Sequence, residues 1–369
     1  MRDEQISRGN SKKTWVIILC MSCIVIIVGV LFFLEDSERQ KNGVKNDRAV
    51  LYHNKIYFIK NRTLYQAKKD GTGEKKIKKL PHNQMGQDGD GYKNITVYNG
   101  RLYAIRWISY SLTNEYYIFS IDLDGSDYKK EVRLPWIQGS EGELYTGDIS
   151  TFSIKNGYIY YTYILSDASN GEWTPKCEVY EQKIGTTKRI PTRYYEDEIT
   201  PQLSGKYAYY VKKNDNGIYI IYRMDVESGR KKIYYSGKRI NSAYGAMAIL
   251  EKQLIFSDDT HIMMKDFKRT KDPTNYTEKK VTSSSKDGIY IHNANKKEVI
   301  YYNNEKYYRM DLETQKTEEI VSVKDMQKKS GMLLCRIEQL GDTLAVSGYL
   351  DEEKREEFMF FVEEKYRVK

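Results

Sequence analysis

The sequence predicts an all-β fold: a seven-bladed β-propeller of four-stranded antiparallel blades, preceded by one N-terminal transmembrane helix. Three observations carry this reading. Short apolar strand segments recur seven times at near-constant spacing. Turns rich in Gly, Asp, Asn and Ser punctuate them. One uncharged stretch of 20 residues stands near the N-terminus.

The repeat is clearest in what would be the second strand of each unit. The segments are Lys55–Phe58, Arg101–Ala104, Tyr158–Tyr161, Tyr207–Tyr210, Gln253–Phe256, Val299–Tyr302 and Thr343–Val346. Their matching positions lie 46, 57, 49, 46, 46 and 44 residues apart, a mean of 48. Four-stranded propeller blades repeat every 40 to 50 residues or so. Third strands follow, as in Tyr117–Asp122, Ile221–Asp225 and Tyr307–Asp311, then polar turns such as Asp124-Gly125-Ser126-Asp127. These turn residues reach tight backbone geometries at low strain. Fourth strands are short and basic, as in Glu74–Ile77 and Arg230–Ile233. Lysine on an outermost strand discourages edge-to-edge pairing. One such sheet cannot cover its own apolar faces, whereas sheets packed radially shield one another.

Trp15–Leu34 is uncharged for 20 residues. As a helix it would span about 30 Å, the thickness of a bilayer core. Lys12 and Lys13 precede it and Glu35, Asp36 and Glu38 follow, so the basic side is expected in the cytoplasm and the C-terminal body outside. Leu31-Phe32-Phe33-Leu34 puts bulky residues where a cleaved signal peptide needs small ones. The expected organisation is a cytoplasmic stub (1–14), a transmembrane signal anchor (15–34), a polar linker (35–49) and a propeller ectodomain (50–369). The expected location is the cell membrane, single-pass, with that domain extracytoplasmic.

Composition agrees. Tyrosine is abundant, with 34 residues, and proline scarce, with 6, a bias towards strands. The formal charge of +9 is spread without a basic run, so no nucleic-acid partner is expected. Cys177 and Cys335 fall in the third and seventh repeats, which are not neighbours in a ring, so both are expected as free thiols.

The units Asn156–Tyr161 and Tyr117–Leu134 resemble an uncharacterised bacterial family of membrane-anchored propellers. That family is distantly similar to the Tyr-Trp-Thr-Asp propellers of lipoprotein receptors and to the periplasmic propeller of the Tol system. The resemblance implies a fold and transfers no catalytic residue.

No Gly-x-Ser-x-Gly elbow and no His-Glu-x-x-His helix occurs. His53, His82, His261 and His292 fall in different repeats and read as surface or strand residues. Asp122–Asp127 lacks the spacing of a calcium loop and reads as a plain turn. Asp88-Gly89-Asp90-Gly91 reads as a flexible loop between the first two blades. No catalytic residue, metal or cofactor is expected, and the chain is not expected to be an enzyme.

Aromatic clustering gives the one candidate site. Trp107, Trp136 and Trp173 all fall in repeats two and three, with Tyr110, Tyr116 and Tyr145 nearby. Trp107 is expected at the end of a second strand, Trp136 in the link between repeats, and Trp173 in the loop 165–176. In a propeller, those positions open on one face. Trp107, Tyr110, Trp136, Tyr145 and Trp173 are the expected ligand-binding residues, since loop aromatics mark recognition surfaces. The same rings could instead cap the core beneath long loops. The function expected is a membrane-anchored binding or scaffold module for a protein, peptide or cell-wall glycan. The alternatives are an accessory or sensory subunit of an envelope complex, and a propeller enzyme acting on glycans.

Overall fold

The structure, a computed structural model, describes residues 48–81, 87–110, 113–138, 144–167, 174–197, 201–237, 247–250, 253–258, 260–266, 274, 276–280, 288–294, 297–322, 336–340, 343–349 and 357–362. The chain divides at Lys41/Asn42, and every described residue lies in the C-terminal unit. The expected anchor Trp15–Leu34 falls outside the described residues. No helix among those described is long and apolar enough to cross a membrane.

Six four-stranded antiparallel sheets follow one another along the chain, each with its strands in sequence order. Blade 1 is β1 (Ala49–Tyr52), β2 (Lys55–Lys60), β3 (Thr63–Lys68) and β4 (Lys75–Lys79). Blade 2 is β5 (Gln87–Tyr98), β6 (Arg101–Tyr110), β7 (Thr113–Asp122) and β8 (Lys129–Arg133). A hairpin of β9 (Trp136–Gln138) and β10 (Leu144–Thr146) links it to blade 3: β11 (Phe152–Lys155), β12 (Tyr158–Asp167), β13 (Thr174–Lys183) and β14 (Arg189–Asp197). Blade 4 is β15 (Gln202–Ser204), β16 (Tyr207–Lys213), β17 (Tyr219–Asp225) and β18 (Lys231–Gly237). Blade 5 is β19 (Met247–Ile249), β20 (Gln253–Ser257), β21 (His261–Asp266) and β22 (Thr277–Lys280). Blade 6 is β23 (Tyr290–Ala294), β24 (Glu298–Asn303), β25 (Lys306–Asp311) and β26 (Thr317–Ser322).

The blade count is therefore six, not the expected seven. The seventh repeat does form its second strand, but its sheet has only three described strands: β27 (Arg336–Leu340), β28 (Thr343–Tyr349) and β29 (Glu357–Val362). Counting second strands could not show this, because the second strand β28 is present and only three strands of its sheet are described. The Asp88–Gly91 loop is corrected too. Those residues belong to β5, which pairs with β6 from Gln87↔Tyr110 to Tyr98↔Arg101.

The aromatic second strands are buried because each is covered on both sides. In β2, Ile56, Tyr57, Phe58 and Ile59 are all buried. Successive residues point to opposite faces, so one set packs on the preceding blade and the other on the next. Leu102, Ala104 and Ile108 of β6 join a core with blade 1, whereas Tyr103 and Ile105 join a core with blade 3. The three-stranded sheet fits between blade 6 and blade 1 by the same means. At the blade 1 side, Phe361 sits edge-on to Phe58 with ring centroids 5.2 Å apart, and the Thr343 hydroxyl donates to the Lys69 carbonyl at 2.6 Å. The β1–β2 pairing lies wholly within blade 1, so side-chain packing makes this junction.

The turns explain the polar punctuation. Asn156 and Gly157 join β11 to β12 with φ of 52° and 78°. Two consecutive left-handed residues make the tight turn whose twist matches a hairpin, and Asn-Gly adopts it at least strain.

Candidate functional site

Strand length singles out blades 2 and 3. Their second and third strands are 10 residues each, against 5 to 7 in the other sheets. At about 3.3 Å per residue, the extra three to five residues raise these hairpins by roughly 10–17 Å. Register fixes where they rise. The β6–β7 pairing ends at Tyr110↔Thr113 and β12–β13 at Asp167↔Thr174, both on the end where β5 begins and β14 finishes. The β9–β10 hairpin joins the same end, since β10 packs against β7 and Asp148 bridges to Ile164 near the top of β12.

The expected aromatic residues fall on this end as far as they are described. Trp107 lies within β6, three residues before its end, and is half-buried. Tyr110 closes β6, Trp136 opens β9 and Tyr145 lies in β10. The side chains of Tyr110, Trp136 and Tyr145 lie outside the described residues, as does the whole of Trp173. Longer strands leave less loop than expected around Trp173: β12 runs to Asp167 and β13 starts at Thr174.

Trp107 is seated on backbone. It pairs with Gly91, and a Cβ at that position would overlap the indole. A bare backbone is thus needed at residue 91 for the ring to lie there. On the same side of blade 2, Tyr116 pairs with Trp107, and the Lys93 ammonium lies 5.4 Å from the centre of the Tyr116 ring. Asp148, in the link into blade 3, bridges to Ile164 of β12, and its charge acts on both groups. Burial pushes the Asp148 carboxyl up from its ordinary value and the Lys93 amine down, and each charge opposes the other's shift. Burial, with the Asp148 charge, also raises the Tyr116 phenol to about 12. Two side chains frame the group: Asn94 at φ 55° donates to the Ser150 carbonyl at 2.8 Å, and Tyr163 crowds Gly147. Sequence reasoning missed Lys93 and Asp148, which are distant in sequence and influence each other only through the fold.

The opposite side of the same hairpin is braced by a buried ion pair. Arg106 donates from Nη2 to Asp90 at 2.9 Å and from Nη1 to the Tyr117 hydroxyl at 2.8 Å. Its side chain is 3% exposed and that of Asp90 10%. The guanidinium lies within 6 Å of the Tyr92 and Tyr117 ring centres, a cation–π arrangement. The remaining expected features are structural. Asp122 and Asp127 both pair with Arg101, at 2.5 and 2.8 Å, in a plain β7–β8 turn. His261 and His292 are strand residues, and His53 is in a turn. Cys177 is buried in β13 as a free thiol, raised to about 12 by desolvation, while Cys335 lies outside the described residues.

No family model matches the sequence, and no curated protein matches it. Solved structures do. A puromycin-hydrolyzing peptidase from Mycobacterium tuberculosis matches at 11% identity and a TM-score of 0.50, over 84% of this chain and 51% of that one. A post-proline cleaving enzyme from Rickettsia typhi matches at 12% identity and a TM-score of 0.51, over 88% of this chain and 52% of that one. The likeness is one of fold. This chain spans about half the length of both enzymes. TolB from Acinetobacter baumannii also matches, at 14% identity and a TM-score of 0.39, over 86% of this chain and 79% of that one.

Proposed function

We propose that this chain is a membrane-anchored, extracytoplasmic binding or scaffold module. It recognises a protein, peptide or cell-wall glycan through the propeller face where blades 2 and 3 rise. Trp15–Leu34 would anchor it, and Trp107, Tyr110, Trp136, Tyr145 and Trp173 would supply the contacts. The observation that carries the reading is the lengthening of two adjacent blades and their linking hairpin at one end. Packing a propeller does not need those extra residues, since the shorter blades pack without them. Raised aromatic hairpins on a rigid scaffold suit recognition.

The experiment is a capture from native envelope with full-length chain, comparing wild type with W136A/W173A. The expected result is loss of the captured species while the thermal midpoint stays within about 3 °C. Loss of the fold would instead assign these rings to core capping. Protease protection of the C-terminal body inside sealed cells would overturn the placement.

A further inference from the structure

We infer that the outer edge of blade 1, strand β4 with Lys75, Lys76, Lys78 and Lys79, docks on an anionic lipid surface. This rests on the membrane anchoring proposed above and names a second contact between the body and the bilayer.

β4 reads Lys-Lys-Ile-Lys-Lys, and all four of its lysines are exposed. It is the outermost strand of its sheet and pairs with β3 alone. Among the described residues, none of the four lysines has an ion-pair partner. The acids nearby are engaged elsewhere. Glu74 pairs with Lys60 at 2.9 Å, and Asp70 accepts from the Thr72 hydroxyl of its own turn at 2.7 Å. The β7–β8 turn of blade 2 closes on the base of Lys78 through Gly125. In that turn Asp124 accepts from Ser126, and Asp127 pairs with Arg101 and Lys129. Residues 68–79 hold six lysines against two acids, a net +4 along one hairpin edge.

Register decides how that charge is presented. Tyr65 pairs with Lys76 and Thr63 with Lys79, whereas Gln66 pairs with Lys75 and Leu64 with Lys78. With Ile77 as the extra residue of a bulge, Lys76 and Lys79 share one face of the strand and Lys75 and Lys78 the other. Two lysines therefore flank the free edge on each side, over about 13 Å of strand. That span is close to one screening length at ordinary salt, about 10 Å, so the four charges act together. A thread lying on one face of the blade meets two of them. A plane approached edge-on meets all four, because lysine stems are long enough to carry the ammonium groups past the strand. A charged bilayer is such a plane, and each basic side chain near it strengthens binding about fivefold. The linker 35–49 spans at most about 50 Å, so the proposed anchor keeps blade 1 within reach of the surface. Protecting a free edge from pairing does not require this arrangement. β8 mixes Glu131 with its lysines, which pair with Asp127 and Glu115, and β26 carries Glu318 and Glu319. β4 leaves all four of its charges unmet.

The test is lysine footprinting of the full-length chain reconstituted in vesicles, with a membrane-impermeant amine reagent and peptide mapping. Vesicles of phosphatidylcholine alone are compared with vesicles containing about one-third phosphatidylglycerol. Labelling of Lys75, Lys76, Lys78 and Lys79 is expected to fall at least about fivefold on the anionic vesicles and to recover in about 0.5 M salt, where screening is strong. Lys183 and Lys188, exposed on blade 3, are expected to label alike in both. Hydrogen exchange in 63–79 is expected to slow on anionic vesicles for wild type and for K183Q/K188Q/K213Q/K232Q, but not for K75Q/K76Q/K78Q/K79Q. Equal labelling of the β4 lysines on both vesicles, or slowing that survives their replacement, would overturn the inference. So would protection by soluble polyphosphate without protection by anionic vesicles, which assigns the strip to a linear polyanion. Carbonate extraction of the same vesicles reports the anchor separately: a retained chain with unprotected lysines keeps the anchoring and loses the docking.

Discussion

Removing the Asp90 carboxylate should destabilise the propeller more than any change on its surface. Arg106 is 3% exposed, and its charge is met by one carboxylate, Asp90, at 2.9 Å, with the Tyr117 hydroxyl and two ring faces completing its surroundings. Among the described residues its Nε has no hydrogen-bond partner. In D90N the guanidinium would stay buried without a counter-ion. Breaking a buried pair from one side typically costs about 3–5 kcal/mol. Unfolding entropy is about 2.1 cal/mol/K per residue, so a loss of about 4 kcal/mol in a body of about 320 residues lowers the thermal midpoint by roughly 6 °C. R106M should cost a comparable amount, because it strands the carboxylate. The double variant D90L/R106M should lie closer to wild type than either single change, since apolar replacement of a whole buried pair is often near neutral. The assay is a double-mutant cycle read by thermal and urea unfolding. Additive losses, or a D90N shift under about 1 °C, would refute the claim that this pair braces the raised hairpin of blade 2.

Three further outcomes follow from the packing. Burial against Tyr302 and Tyr307 lowers His292 to about 4 from an ordinary 6.5, so the unfolded chain takes up the proton first. Stability should be complete above about pH 6.5 and fall by about 2 kcal/mol as pH drops to about 4, after discounting for the half-buried ring; H292Q should flatten that slope in unfolding midpoints. Burial that raises Cys177 to about 12 leaves about a thousandfold less thiolate than an ordinary thiol, so peptide-mapped alkylation at pH 8 should label Cys177 only once the chain unfolds. Gly71 has φ 81° and faces Phe361, where a Cβ would overlap that residue's Cβ and ring. G71A should therefore cost about 2 kcal/mol in the wild type and about 1 in an F361G background, where the Phe361 Cβ and ring are both gone and only the backbone strain remains.

Most of the fold was legible because each blade repeats one solution to one problem. A central strand covered on both sides needs consecutive apolar or tyrosine residues, and the Ile-Tyr-Tyr-like segments met that need at all seven second strands. Less was legible where the answer depended on contacts far apart in sequence. Asp88–Gly91 looks like a turn by composition, yet it is strand β5, because Asp90 is needed beside Arg106 and Gly91 beneath Trp107. The last repeat keeps its second strand, so the second-strand pattern gave no sign that only three strands of its sheet are described. Of the candidate site, the tryptophan spacing put Trp107 at the end of a second strand, and β6 carries it three residues before its end. Lys93 and Asp148 gave no signal, since only the fold puts their charges within reach of each other.

The most direct measurement is hydrogen exchange on the full-length chain in native envelope fragments, compared with the purified chain in detergent. If blades 2 and 3 form the recognition face, exchange should slow in 105–116, 136–146 and 163–177 and stay unchanged in blades 4 to 6. Unchanged exchange in those three segments, with slowing on the opposite face or on blades 4 to 6, would contradict it.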